Sequence, residues 1–384
     1  MDFKRVKVVV AIGAFLFSIG MGMHTNILPL YLKSLGASGS GVGVVFSLNG
    51  LLRGLVMVVG GYLMHRFSRK WVFVSGWIVA AIAGLIYAFV PTIWGVMIAA
   101  MMMGMSVISP IARSSMLMSL APTTKDFREA MFLISMSFSA AFVIGPPIGG
   151  FVAWAFGWRW VFLTFTALVL VGTVLIVTYL PDVPPIAGGG SPAGILRGML
   201  KIIKTHRRLI VGFLLIAMSG TVAGAVAPLL FKAKFHMDER EIGLISSLWP
   251  LGAFVLSMIV NKKGLTSIIA SIKTAAGMVA GALAALLPVK IGAPLFYFLR
   301  GGSFMALSLT QATLGEVIEP EESGVAFTAA GALTSWAGML GFLAGGWMYD
   351  RAPSLPFVVS AILGAGALLV LITWQKDNSP TERI

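Results

Sequence analysis

Residues Ser139–Phe162 read SAAFVIGPPIGGFVAWAFGWRWVF, with no charged side chain before Arg159. An ionised group deep in a bilayer is costly, so such a run is suited to hydrocarbon. Inside it, Gly145-Pro146-Pro147-Ile148-Gly149-Gly150 sets glycines one helical turn apart on one face. Small residues at that spacing let a neighbouring backbone come close. The paired prolines withdraw two amide donors and weaken the helix locally. The stretch predicts a membrane helix gripped by a neighbour or rocking against it. Tight packing alone explains a single glycine pair equally well, so the rest of the chain has to decide.

The chain has 384 residues, 58% hydrophobic and 11% charged, with a mean hydropathy of +0.94. Soluble domains carry about 25% charged residues, so the composition is that of a polytopic membrane protein. Cysteine is absent, which excludes a disulfide framework, cysteine-ligated zinc and thiol catalysis. The net charge of +14 does not point to nucleic acid, because the basic residues fall in short loops between apolar runs. The apolar run after Lys7 is too long for a cleaved signal and lacks a small-residue cleavage site, so it reads as a first span.

Apolar runs long enough to cross a bilayer fall at 6–32, 40–64, 70–90, 92–120, 127–155 and 160–180, and again at 208–231, 240–261, 265–288, 291–317, 322–349 and 354–375. The expected fold is an all-α integral membrane protein of twelve transmembrane helices in two pseudo-symmetric six-helix halves, 1–180 and 208–384. A cytoplasmic linker, 181–207, joins them. It opens with Pro181-Asp182-Val183-Pro184-Pro185 and a Gly188–Pro192 run. Its end is amphipathic, with Leu196, Met199, Leu200 and Ile203 opposite Arg197, Lys201, Lys204 and Arg208. That pattern predicts a helix lying on the anionic inner leaflet. With the N-terminus inside, Lys4, Arg5, Lys7, Arg66, Arg69, Lys70 and the linker bases all fall on the inner side, so both termini are expected in the cytoplasm.

The halves repeat. Val42-Gly43-Val44 corresponds to Ile242-Gly243-Leu244, Gly145-x3-Gly149-Gly150 to Gly341-x3-Gly345-Gly346, and Ala121-Pro122 to Glu319-Pro320. Similar halves of like orientation joined by a long inner loop suit a rocking transporter. Over its full length the chain resembles the major facilitator superfamily. The family's G-x-L-x-D-R-x-G-R-K between spans two and three is matched at Gly61, Leu63, Arg66, Arg69 and Lys70, with His65 in place of the acid and Ser68 in place of a glycine. By resemblance Gly61, His65, Arg66, Arg69 and Lys70 form a cytoplasmic gate. Gly145, Pro146, Gly149 and Gly150 resemble the fifth-helix motif of drug:H⁺ antiporters, which implies efflux. Ala100 stands where that branch carries an arginine associated with proton coupling.

None of the 14 acids falls at mid-span, and Glu316 is the deepest. His24 and Glu316 are the candidate proton sites. Arg53, one turn from Asn49, and Arg113, following Ser109 and Ser106, lie within spans, as does Arg300, with Gln311 at the place equivalent to Arg113. Buried arginines without an embedded acid call for a counter-ion, which an anionic substrate supplies; backbone carbonyls or lipid headgroups are the competing partners. The expected substrate lining is Asn26, Asn49, Arg53, Arg113, Trp249, Arg300, Gln311 and Trp336. With four dispersed histidines and no cysteine, neither a metal site, a cofactor nor an enzymatic nucleophile–base set is expected.

The resulting expectation is a monomeric exporter of a small amphipathic, anionic molecule working by alternating access in the cytoplasmic membrane, with protons as the candidate coupling ion. The alternatives are an uncoupled facilitator, a multidrug exporter of neutral or cationic compounds, and a transporter-like sensor without flux.

Overall fold

The computed structural model describes residues 3–185, 192–318 and 323–378. The first half forms α1 (Phe3–Thr25), α2 (Leu28–Ser34), α3 (Gly39–Arg66), α4 (Arg69–Phe89), α5 (Ile93–Met105), α6 (Ile108–Leu120), α7 (Thr124–Phe156) and α8 (Trp158–Tyr179). After α9 (Pro192–Thr205) come α10 (Arg207–Gly224), α11 (Ala227–Phe235), α12 (Glu239–Ser246), α13 (Leu248–Lys262), α14 (Ser267–Leu286), α15 (Gly292–Leu299), α16 (Ala306–Val317), α17 (Ser323–Arg351) and α18 (Leu355–Asp377). A 3₁₀ turn, Arg300–Met305, lies between α15 and α16. Among the described residues, 11 helical segments are long and apolar enough to cross a membrane. The remaining expected span, 291–317, is the one the 3₁₀ turn interrupts.

Local chemistry sets the ends. Thr92 and Thr123 accept the amides of Gly95 and Asp126 at the starts of α5 and α7, and Asp238 forms a reciprocal capping box with Glu241 at α12. Gly157 turns α7 into α8 at φ +87°, a conformation glycine adopts without strain. The prolines Pro146 and Pro147 do not end α7, which runs on to Phe156.

The chain divides into two compact units. Unit 1 comprises residues 1–37, 51–192 and 236–247; unit 2 comprises 38–50, 193–235 and 248–384. The units therefore exchange two short segments relative to the sequence halves: the start of α3 belongs to unit 2, and α12 belongs to unit 1.

Both glycine repeats are packed backbone to backbone. In unit 1, a methyl on Gly22 would lie 3.2 Å from Pro146 and 3.3 Å from Gly145, and one on Gly149 would collide with the Met23 carbonyl. The next face of α7 meets α12, where a methyl on Gly150 would lie 3.0 Å from the Gly243 Cα. Unit 2 repeats the arrangement. Gly345 of α17 abuts the Val222 carbonyl of α10, and a methyl on Gly346 would lie 2.9 Å from the Gly43 Cα. The two kinds of repeat found in the sequence are thus each other's partners, Gly150 with Gly243 and Gly346 with Gly43. The Ala121-Pro122 counterpart, Glu319-Pro320, lies outside the described residues.

The linker helix α9 departs from the lipid-facing expectation. Met199 and Ile202 are buried, and Ile202 packs with Ile210, Phe213, Leu314 and Ala330 of α10, α16 and α17. Gly198 admits the Val325 side chain. Leu200, expected on the apolar face, is 52% exposed; the side chain of Leu196 lies outside the described residues. Helical periodicity identifies an apolar face but not what covers it, and here protein covers most of it.

Gly149→Ala and Gly345→Ala are each expected to lower the thermal midpoint of the purified protein, by the ~1–3 kcal/mol typical of overpacking. Gly324→Ala, where a methyl meets nothing within 4 Å, leaves it undiminished. Three equal midpoints contradict the packing argument.

Candidate functional site

Five of the expected spans are interrupted; one break, at Ser247 between α12 and α13, has no counterpart in the continuous α3, and the other four occupy corresponding places in the two halves. These four fall at residues 26–27 between α1 and α2, at 106–107 between α5 and α6, at 225–226 between α10 and α11, and at 300–305 between α15 and α16. Pro29 and Pro228 sit just past the first and third breaks; Gly301-Gly302 sits inside the fourth. Paired interruptions of this kind expose backbone groups inside a membrane protein and point to its binding region.

In unit 1, Asn26 stands at the first break with its Nδ2 buried and unpartnered among the described residues. Arg113 on α6 is half-buried, and its Nε likewise finds no partner there. The serines that precede it are committed to packing: Ser106 donates to the Met103 carbonyl and Ser109 to the Phe73 carbonyl of α4, both at 2.7 Å. Arg53 is exposed on α3 and makes no ion pair or hydrogen bond with the described residues. His24 is a core residue. It is 3% exposed, its Nδ1 lies 2.9 Å from the Gly20 carbonyl, and the rings of Phe165, Tyr87 and Phe162 surround it at 4.8, 6.0 and 6.0 Å. Glu316, the other proton candidate, is exposed on α16 in unit 2.

In unit 2 the structure brings Arg300 and Trp249 together. Arg300 is 8% exposed. Its Nη2 donates to the Gly220 carbonyl at 2.8 Å, and the guanidinium lies 4.8 Å from the Phe296 ring and 5.3 Å from the Trp249 ring. Trp249 Nε1 donates to Ser303 Oγ at 3.0 Å. Gln311 and Trp336 are half-buried on α16 and α17 and join neither residue. Sequence reasoning missed Tyr297 and Thr274, both buried beside the 3₁₀ turn; the adjacent glycines 301 and 302 were the available signal for that turn.

The basic loop after α3 closes on its own unit. Arg69 donates to the Ser115 carbonyl at 3.2 Å and to the Ser119 hydroxyl at the end of α6. Lys70 Nζ donates to the Val177 and Leu180 carbonyls at 2.8 and 2.7 Å, capping α8 as a cation should. The Ser68 hydroxyl donates to Asp182, so an acid reaches this loop from the linker although His65 stands at the acid's usual place. Gly61 and His65 are half-buried and Arg66 is exposed, its guanidinium 5.5 Å from the Tyr62 ring. No cluster of three or more potential metal-ligating side chains occurs among the described residues.

The sequence pattern of the Major Facilitator Superfamily matches residues 10–209 and 209–383. The chain belongs to that superfamily. It is a multi-pass membrane protein of that superfamily. Its relatives include "Multi-drug resistance efflux pump PmrA homolog" of Lactococcus lactis, 31% identical over 193 residues, or 49% of this chain and 47% of that one. The chain thus spans about half the length of that relative in the match. "Multidrug resistance protein 2" of Bacillus subtilis is 21% identical over 98% of this chain and 96% of its own length. Among solved structures, the nucleoside transporter NupG superposes with a TM-score of 0.75 at 15% identity, covering 98% of this chain and 99% of that one. The human organic anion transporter MFSD10 superposes at 0.69 and 16%, covering 97% and 100%. At those identities the likeness is one of fold.

The arginines fall into two kinds, which thermal unfolding without ligand separates. Arg69→Met leaves the Ser115 and Ser119 partners unmatched and is expected to destabilise by roughly 1–3 kcal/mol. Arg113→Met removes a half-buried charge whose Nε has no partner among the described residues and is expected to leave stability unchanged or raised. Equal losses for both contradict the distinction.

Proposed function

We propose that this transporter exports a small amphipathic organic anion across the cytoplasmic membrane, as a monomer with both termini inside, by alternating access. The observation that carries the anion is the buried, unpartnered Nε of Arg113, with Arg53 exposed on α3 and without an ion pair or hydrogen bond to the described residues, in a unit whose described carboxylates are all outside the buried class. A guanidinium without a carboxylate partner is a strong recognition element for an anionic head. The export direction is supported by the Gly145–Gly150 motif and by relatives named as multidrug efflux proteins. Asn26 beside the first helix break and Asn49 one turn from Arg53 are the polar groups placed to assist.

Alternating access is supported by the exchanged segments. Residues 38–50 and 236–247 each pack with the unit opposite to the half that carries the remainder of their span. A cycle in which the halves rock therefore parts Gly43 from Gly346 and Gly243 from Gly150, then restores both. Glycine-to-glycine surfaces suit such a cycle because they separate without unlocking interdigitated side chains.

An uncoupled facilitator is the second reading. It is favoured by Ala100, buried where the family's coupling arginine is expected, and by the lack of a buried carboxylate among the described residues. Flux into proteoliposomes with and without a pH gradient separates the two.

The test of the site is thermal stabilisation of the purified protein by a panel of amphipathic anions, cations and neutral compounds. The anions are expected to stabilise it, and Arg53→Ala to weaken their binding about tenfold or more, as the loss of a charge-assisted hydrogen bond implies. Stabilisation by cations or neutral compounds that is indifferent to Arg53→Ala overturns the anion reading and leaves a multidrug exporter with structural arginines.

A further inference from the structure

Three buried side-chain atoms of unit 2 find no hydrogen-bond partner among the described residues: Tyr297 Oη, Arg300 Nε and Thr274 Oγ1. Their residues are 2%, 8% and 2% exposed. All belong to one locality. Tyr297 precedes Arg300 by one helical turn, and Thr274 of α14 abuts Gly302 two residues further on, where an added methyl would strike its hydroxyl. Each atom carries a hydrogen to donate. The partners Arg300 does have, the Gly220 carbonyl and the ring faces of Phe296 and Trp249, are neutral. The described carboxylates of unit 2, Glu316, Asp350 and Asp377, are all exposed.

A buried cation compensated only by dipoles and ring faces, next to two unfilled hydroxyl donors, lacks one thing: a negative charge. Water fills orphaned donors but brings no charge. The enclosure limits the size of what can fill the gap. Gly224 lies against the guanidinium nitrogens and Gly281 against the Arg300 backbone and Cβ, while the two rings cover its faces. We propose that unit 2 binds a small inorganic monovalent anion of chloride size at Arg300, with the Tyr297 and Thr274 hydroxyls completing its coordination. The site is distinct from Arg53 and Arg113 and does not depend on what the protein carries.

The arginine of this site opens the 3₁₀ turn. Gly301 sits against Gly252 and Ala253 of α13, and Gly302 against Thr274 of α14, so the turn is clasped on both sides just where the anion would neutralise its arginine. Binding the anion should therefore stabilise the whole unit by mass action.

The test uses the full-length purified protein in sodium gluconate, with sodium chloride or sodium bromide replacing it at constant ionic strength. The unfolding midpoint is expected to rise saturably with either halide. Arg300→Gln is expected to abolish the rise. The double variant Tyr297→Phe/Thr274→Val is expected to raise the half-saturating halide concentration about tenfold, the loss of two hydrogen bonds to a charged group. If Arg300→Gln does not fold, the double variant decides. Identical unfolding in gluconate and halide shows that water fills these groups and overturns the proposal, as does a halide effect undiminished in the double variant.

Discussion

The structure depends on helix backbones that touch. Inside a bilayer no hydrophobic force drives helices together, because lipid tails are as apolar as leucine; association rests on close packing and on hydrogen bonds made at short range. Here backbones come close at Gly149 against Met23, Gly345 against Val222, Gly150 against Gly243 and Gly346 against Gly43, and again at Gly252 against Phe298. Each unit is assembled around one pair of these contacts. The first and third helix breaks lie at the ends of α1 and α10, helices that those glycines hold in register.

The two units share this geometry and differ in the polar chemistry at their ends. In unit 1, Arg69 and Lys70 bond the ends of α6 and α8. The corresponding place in unit 2 holds a hydroxyl pair, Thr313 donating to Ser267 at 2.9 Å. Where α12 meets α7, Arg240 stacks at 4.8 Å from the Trp154 ring. Where α3 meets α17, Asp350 accepts from the amides of Gly39 and Ser40 at 2.7 and 2.8 Å and from the Ser40 hydroxyl at 2.5 Å. A carboxylate on the first amides of a helix is favoured by the helix dipole. One glycine contact is thus reinforced by charge on a helix end and the other by a cation over an aromatic ring.

Much of this was legible in the sequence, and the reasons differ by feature. The spans could be read because hydrocarbon demands long apolar runs, and the glycine repeats because only glycine permits backbone contact. What each repeat touches could not be read: Gly43 meets Gly346 across some three hundred residues of chain, and nothing local to either encodes the other. Pro146 and Pro147 suggested a weakened helix, yet α7 is continuous, since its neighbours hold it on both faces. The periodicity of α9 gave its apolar face but not its cover. Arg53, Arg113 and Arg300 were indistinguishable as buried arginines. Only side-chain geometry shows that Arg300 is caged by Gly220, Phe296 and Trp249 while Arg53 has no such partners, and that His24 is held inside an aromatic cluster.

The central claim, that an organic anion crosses by parting the paired glycine contacts, has a direct test because the chain contains no cysteine. Ser40→Cys with Asp350→Cys places a reversible disulfide across the α3–α17 contact. The measurement is carboxyfluorescein flux into proteoliposomes carrying the double variant, oxidised and then reduced. The account predicts flux in the reduced protein and none in the oxidised one. Flux indifferent to oxidation, or no anion flux in the reduced protein, contradicts it.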